Sequence, residues 1–273
     1  MKRLLIAALI FTTTSAFAQV TTELELWDFT TMADGLSFSN SSTGGIVNTG
    51  TNASVFNNGA ANNVATSSGA LVLDSSFSGQ LFRRVPGNGG TSTYAATQGA
   101  NYTSGLYTLH MDIASYDFTN QANNALLSWS MISAASGTTS NVGGIQLRYS
   151  TAGGVQLRMY VGDSSGGQTF FRAENLSLSS TVNTTARLSI DFDNNAIVYD
   201  LNGTIINGTY AGNTTIASLL FNTNSPYASS NNIAISSMGL TTTQPIPEPA
   251  TASLLLLGLG ATFFVARRRR LGR

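Results

Sequence analysis

Side chains that could act as catalytic acids, bases or nucleophiles are scarce in this sequence. His110 is the only histidine among the 273 residues, and the chain has no cysteine. A Cys–His pair and a multi-histidine metal site are therefore excluded, and a Ser–His–Asp triad could use only His110. Because His110 lies inside the apolar segment 106–114, we interpret it as an ordinary strand histidine. The sequence thus predicts no catalytic residue.

Three acidic residues near the N-terminus have a spacing that invites comparison with a glycosidase. Glu23, Glu25 and Asp28 are faintly similar to the carboxylate-bearing strand of concanavalin-like glucanases. A glycosidase places two carboxylates on opposite sides of the scissile bond, and the spacing of these three is wrong for that arrangement. We therefore interpret the segment as an N-terminal edge strand in which Trp27 packs against the core.

A second acidic group has the alternation of a calcium-binding loop. Asp191, Asp193 and Asn195 occupy alternate positions, as calcium ligands do. An EF-hand loop, however, needs glycine where Ala196 stands and a glutamate at its twelfth position, and this sequence has neither. A turn is the favoured interpretation. No cofactor is predicted, and a structural calcium ion elsewhere in the acidic body stays open as an alternative.

Aromatic side chains are a third group that could do chemistry, because exposed rings can stack on sugars. We expect most of them to pack in the core instead. The candidates for sugar stacking are Tyr94, Tyr102, Tyr116, Trp129 and Tyr160.

The elements that must position these side chains are short strand-like segments. They are rich in Val, Ile, Leu, Tyr, Phe and Thr and are bounded by Gly, Asn, Asp or Ser. The predicted strands are residues 70–74, 80–85, 106–114, 125–133, 145–150, 155–161, 169–173, 187–192, 196–201, 204–206, 216–221 and 232–240.

Local patterns indicate how these strands connect. Residues 187–192 alternate apolar and polar side chains, which is typical of a strand with one buried face. The pair Asn202-Gly203 favours a type I′ hairpin turn, which needs positive φ at both positions. The sequence of residues 143–148 recurs closely at residues 153–158 and predicts two neighbouring strands of one hairpin.

Many short strands with almost no helix predict an all-β fold. We expect residues 19–244 to form an antiparallel two-sheet sandwich of the jelly-roll type, as in concanavalin or laminin-G domains. Without disulfides, its stability must come from a core or from bound ions.

The charge of the predicted body differs from that of the whole chain. Between Gln19 and Pro249 there are six basic and thirteen acidic residues, a net charge of −7, whereas the full chain is neutral. Nucleic acids and anionic lipid headgroups need clustered Lys or Arg as partners, so this body is not expected to bind them.

The N-terminus has the features of a secretory signal peptide. Two basic residues precede an apolar run, and small residues follow it. Ala16 and Ala18 form the predicted signal-peptidase site, so residues 1–18 should be removed.

The C-terminus has the features of a membrane anchor. Residues 250–266 carry no charge and are just long enough for a transmembrane helix. By the positive-inside rule, the basic cluster after the helix should stay in the cytoplasm and stop its transfer. That cluster consists of Arg267, Arg268, Arg269 and Arg270.

The tripeptide Pro247-Glu248-Pro249 stands directly before this helix. Two prolines hold the backbone extended and keep it out of the helix, so the motif should be accessible at the membrane surface. The combination of Pro-Glu-Pro, one apolar helix and an arginine cluster resembles the PEP-CTERM sorting domain over roughly residues 245–270, within a predicted sorting tail of residues 245–273. The resemblance implies recognition by an exosortase in the inner membrane of a Gram-negative bacterium and removal of the helix. It also implies an association with exopolysaccharide and biofilm matrix.

These observations predict a secreted, exosortase-sorted protein of the cell surface or extracellular matrix that lacks catalytic activity. Its expected partners are exosortase, signal peptidase, the inner membrane before processing and an extracellular polysaccharide. One alternative is a carbohydrate-binding β-sandwich module. A polysaccharide hydrolase or lyase is a further alternative, for which the sequence shows no cluster of acids.

Overall fold

The structure of the protein is a computed structural model. It describes residues 19–35, 64–73, 81–84, 102–133, 141–162, 168–223 and 233–245. The predicted signal peptide, the Pro-Glu-Pro tripeptide, the C-terminal helix and the arginine cluster lie outside the described residues. Thr21–Thr243 form a compact unit, which contains the features analysed below.

The described residues form fifteen strands and a single turn of 3-10 helix, Phe29–Thr31. Each predicted strand overlaps an observed one. The strands are β1 (Gln19–Asp28), β2 (Val64–Ser67), β3 (Ala70–Leu73), β4 (Leu81–Arg84), β5 (Leu106–Asp117), β6 (Ala125–Ile132), β7 (Asn141–Ser150), β8 (Gly154–Gly162), β9 (Gln168–Leu176), β10 (Ser179–Ser180), β11 (Thr184–Asp191), β12 (Ala196–Leu201), β13 (Thr204–Thr209), β14 (Ser218–Thr223) and β15 (Ile233–Pro245).

The strands belong to two sheets. In the large sheet the order is β13-β12-β11-β5-β15-β3-β2, with β1 also paired to β15 and β10 to β5. The small sheet has the order β4-β14-β6-β7-β8-β9. Every pair whose register is defined among the described residues is antiparallel. The predicted antiparallel two-sheet sandwich is therefore confirmed.

The core lies between the two sheets and follows from the alternation of the strands. Leu188 and Ile190 of β11 are fully buried. Arg187 of the same strand faces outward, as the sequence predicts. Trp27 of the large sheet and Trp129 of the small sheet meet edge to face, with ring centroids 5.7 Å apart. Such a pair contributes about 0.5–1.5 kcal/mol beyond the burial of its apolar area. The two tryptophans therefore join the two layers.

Two predicted hairpins are confirmed. Asn202 and Gly203 have φ of 50° and 84°, so the turn between β12 and β13 has the positive φ values that a type I′ turn needs. The two copies of the repeat lie in β7 and β8, which form an antiparallel hairpin with Leu147 opposite Leu157. Each copy thus places its leucine in the core.

Candidate functional site

A polar groove of about 510 Å³ lies on the outer face of the large sheet. Strands β1, β5, β11 and β15 contribute side chains to it, and most of these carry a hydroxyl or a carboxyl group. The residues come from sequence positions as far apart as Thr21 and Thr241, because the sheet order brings the N-terminal strand beside the last one. We call this feature the large-sheet groove.

Strand β1 supplies one wall of the groove through a shift in its alternation. Thr21 and Glu23 line the groove, and so does Asp28, an even-numbered position. Glu25 between them is fully buried. A strand with strict period two would place positions 23 and 25 on one face, so the alternation shifts by one residue, as at a β-bulge.

This shift separates the three carboxylates that the sequence grouped together. Only Glu23 and Asp28 reach the groove, and Asp28 accepts hydrogen bonds from the backbone N–H and the hydroxyl of Thr30. Asp28 therefore caps the following 3-10 turn. This capping role supports the interpretation of the segment as a structural strand.

Asp112 of β5 is the centre of a hydrogen-bonded cluster in the groove. Its Oδ2 accepts a hydrogen bond from the Ser237 hydroxyl at 2.8 Å, and its backbone carbonyl accepts one from the Ser236 hydroxyl at 3.1 Å. The guanidinium of Arg187 lies 3.9 Å from Oδ1. A register shift in β15 between Ile235 and Ser237 brings two consecutive serines to Asp112, one to its carboxylate and one to its backbone carbonyl.

His110 also lies in the groove, directly opposite Gly239 of β15 and Arg187 of β11. A Cβ on Gly239 would stand 2.6 Å from the imidazole Cε1, so the ring lies over the glycine. Burial lowers the pKa of His110 to about 4; the Asp112 charge opposes this effect and the Arg187 charge adds to it. The imidazole is therefore neutral at neutral pH.

The groove does not assemble the serine triad that the sequence left open. A triad serine donates its hydroxyl hydrogen to histidine, whereas Ser237 donates to Asp112. Hydroxyls elsewhere in this face bond each other: Thr108 to Ser189 at 2.7 Å, and Thr21 to Thr243 at 3.1 Å. The surface offers donors and acceptors that suit a hydroxyl-rich ligand.

Sequence patterns did not predict this site, because its residues are far apart in the chain. The available signal was the alternation of β5, which places Thr108, His110 and Asp112 on one face. The partners on β11 and β15 depend on strand register, and no local pattern indicates it.

The aromatic candidates for sugar stacking occupy other positions. Tyr116, Trp129 and Tyr160 are buried, so the hypothesis that they stack on sugars is wrong for these three. Tyr102 is half-buried and packs against the core. Tyr94 lies outside the described residues.

The acidic turn at Asp191 uses its carboxylate locally. Its Oδ1 accepts hydrogen bonds from the backbone N–H groups of Asp193 and Asn194, both at 3.0 Å. Asn195 has a positive φ of 51°, as expected in such a turn. Within the described ranges, no cluster of three or more His, Asp or Glu side chains could hold a metal ion.

The family comparison identifies the C-terminal region. The family model for the PEP-CTERM protein-sorting motif matches residues 245–270. The chain carries a PEP-CTERM sorting motif. This motif implies a secreted protein that an exosortase sorts to the cell surface. In the described ranges, no helix has the length and apolarity needed to cross a membrane.

The structural comparison concerns the β-sandwich body of the chain. The chain is similar to the CBM2 module of an evolved Dit protein of Lactobacillus casei BL23 phage J-1, with a TM-score of 0.51 and 13% identity. The match covers 85% of this chain and 99% of that module. At this identity the likeness shows the fold alone. No curated protein matches the amino-acid sequence significantly.

Two further solved structures show weaker likenesses. The carbohydrate recognition domain of Emp46p in its potassium-bound form has 15% identity and a TM-score of 0.44, with 65% of this chain and 85% of that domain covered. A legume lectin-like domain from Entamoeba histolytica has 6% identity and a TM-score of 0.41, with 67% and 87% covered. With TM-scores below 0.5, these two likenesses carry no weight for the fold.

Proposed function

We propose that this protein is a secreted, exosortase-sorted component of the cell surface or extracellular matrix, and that its β-sandwich is not an enzyme. The observation that carries the proposal is the sorting motif at residues 245–270. The acidic, lysine-free composition between Gln19 and Pro249 agrees with a surface role, because a net charge far from zero keeps a protein soluble and limits self-association.

The proposal includes an order of processing events. Signal peptidase cuts after Ala18 during export, and the helix 250–266 holds the chain in the inner membrane with its arginines in the cytoplasm. Exosortase then recognises the extended Pro247-Glu248-Pro249 segment and removes the helix. The body is released or transferred to the matrix of a Gram-negative cell, where exopolysaccharide surrounds it.

The absence of catalysis is proposed from the groove. His110 has its pKa lowered to about 4 by burial, so it is a weak base at neutral pH. Asp112 is held by two serines and faces Arg187, and Asp28 caps a turn. These side chains stabilise the sheet surface and leave no activated nucleophile among the described residues of the groove.

The sorting proposal is tested with the full chain in a Gram-negative host that has an exosortase and in a strain lacking it. Changing Pro247→Ala and Pro249→Ala together should abolish removal of the helix, as the strain without exosortase should. Pro245→Ala is the matched control and should be processed normally. Mass spectrometry of the mature C-terminus reads the result. Normal processing of the double variant, or of the chain in the exosortase-free strain, would contradict the proposal.

A second candidate function is binding of a neutral glycan in the large-sheet groove, favoured by its carboxylates, hydroxyls and single guanidinium. Affinity electrophoresis of the full chain in gels containing dextran, cellulose derivatives or galactomannan tests it. For a glycan that retards the protein, Asp112→Asn should weaken the affinity about tenfold, because it replaces a charged hydrogen-bond acceptor with a neutral one. Glu174→Gln is the control, since it makes the same charge change in β9 of the other sheet. Retardation by none of these glycans would count against this candidate.

A further inference from the structure

The outer face of the small sheet carries a regular arrangement of amides and arginines. In β7 and β8 the repeated Gln-x-Arg places Gln146 directly opposite Arg158 and Arg148 directly opposite Gln156. The two arginines are diagonal neighbours on one face, about 7–8 Å apart at their backbones. We call these four residues the arginine face.

Hydrogen bonds orient one side of the arginine face. The guanidinium of Arg158 donates to Gln156 Oε1 through both Nε, at 3.0 Å, and Nη2. The amide of Gln156 in turn donates to Asn175 Oδ1 of β9 at 2.8 Å. An arginine has five N–H donors, and the described residues accept hydrogen bonds from two of those of Arg158, so a ligand could engage further donors.

An aromatic ring borders this arrangement. The guanidinium carbon of Arg158 lies 4.9 Å from the centroid of the Phe170 ring, a cation–π contact. Phe170 is 46% exposed, so part of its ring is accessible to a ligand. Its free surface can pack against the C–H face of a sugar ring.

No carboxylate among the described residues neutralises the charge on this face. Arg172 pairs with Glu174, and Arg187 lies beside Asp112, but in the described part of the chain no carboxylate pairs with Arg148 or Arg158. Burial, and then the charge of Arg148, lowers the pKa of Arg158. Two half-buried guanidinium groups of like charge are therefore held close together, and an anion from outside would relieve their repulsion.

We propose that the arginine face binds an anionic polysaccharide, with Arg148 and Arg158 pairing with carboxylates on the polymer and Phe170 packing against a sugar ring. Guanidinium groups bind carboxylates with two parallel hydrogen bonds, which gives both affinity and orientation. This site lies on the opposite sheet from the large-sheet groove. The proposal rests on the proposed function only for its setting, a cell surface where such polymers occur.

Nucleic acids and anionic membranes are less suitable partners for the same chemistry. The residues between Gln19 and Pro249 carry a net charge of −7, so an extended polyanionic surface would be repelled by most of the body. A flexible polysaccharide needs to contact only the two arginines and the neighbouring ring.

The test uses the full-length chain in non-ionic detergent and polygalacturonate as the probe. Binding is measured by affinity electrophoresis and by titration at low and at physiological salt. Fully methyl-esterified polygalacturonate has the same backbone without the charges and should not bind. The double variant Arg148→Gln/Arg158→Gln should bind polygalacturonate at least about tenfold more weakly, as expected for the loss of two charge-assisted contacts.

The matched control is Arg172→Gln, which removes one positive charge from β9 outside both the arginine face and the large-sheet groove and should change the affinity less than about twofold. Arg158→Gln removes the same charge from the arginine face and should by itself weaken binding at least about threefold. Unfolding midpoints of all variants confirm that they fold. The proposal is overturned if the wild type does not bind polygalacturonate, if it binds the esterified polymer or duplex DNA equally well, or if Arg172→Gln loses as much affinity as Arg158→Gln. None of these outcomes depends on processing by exosortase.

Discussion

The outer faces of the two sheets use the same backbone arrangement for different purposes. Each places a glycine directly opposite a ring: Gly239 opposite His110 in the large sheet, and Gly144 opposite Tyr160 in the small sheet. A Cβ on either glycine would stand 2.6 Å from the ring across the ladder, at His110 Cε1 or at the Tyr160 hydroxyl. In both sheets the ring occupies the space that a side chain in place of the glycine would fill.

The two rings differ in their surroundings. Tyr160 is buried, and its hydroxyl bonds with Ser130 at 2.6 Å and donates to Asn141 at 3.4 Å. His110 is only half-buried and borders the groove. A glycine opposite a ring can therefore have two different consequences. Where neighbouring side chains hydrogen-bond the ring, as at Tyr160, its position is fixed; where the ring borders the groove, as at His110, it can respond to acid.

The largest expected effect comes from filling the space at Gly239. Gly239→Ala should lower the free energy of unfolding by about 3 kcal/mol, because overpacking here meets the backbone carbonyl of Glu25, only 2.4 Å from the new Cβ, as well as the His110 ring. Denaturant unfolding measures the change.

Gly203→Ala provides the comparison for this variant. It has open space around the new Cβ and only the strain of a positive φ, so it should cost about 1 kcal/mol. Equal losses for the two variants would show that the close approach at Gly239 has no energetic weight.

The next largest effect concerns the fixed ring. Tyr160→Phe should lower the free energy of unfolding by about 2 kcal/mol, because it leaves the buried hydroxyl of Ser130 without this partner. The double variant Tyr160→Phe/Ser130→Ala should cost less than the sum of the single variants, since the two hydroxyls bond each other. Additive losses in a double-mutant cycle would show that the hydrogen bond contributes nothing.

The strands and turns of the fold were more predictable from the sequence than the cross-strand contacts on the two outer faces. Alternation in residues 187–192 and the Asn202-Gly203 turn are local signals, and both were confirmed. The contact of His110 with Gly239 joins residues far apart in the chain, and its register follows from the whole large sheet. The shift in β1 that buries Glu25 is likewise set by packing against neighbouring strands. Sequence periodicity reports which face a residue is on, but it does not report which residue lies opposite.

The ring that responds to acid gives the smallest of the three effects. The folded-state pKa of His110 is about 4, below the usual value of 6.5, so the unfolded chain binds a proton between these pH values that the folded protein does not. The contribution of the neutral ring to stability is therefore complete above pH 6.5 and is lost as the pH falls toward 4. We expect a loss of about 1–2 kcal/mol, less than the whole shift would give, because the ring is partly exposed to solvent.

Unfolding curves at pH 7 and pH 4.5 measure this loss, and His110→Gln should reduce it because glutamine does not titrate. Arg187→Gln sharpens the test. The Arg187 charge helps to lower the pKa of His110, so its removal should raise that pKa and make the loss between the two pH values smaller, with little change at pH 7. Asp112, Glu23 and Asp28 also face the groove, and they are present in all three proteins. If His110→Gln shows the same pH dependence as the wild type, His110 is not its source and the two rings do not differ as described.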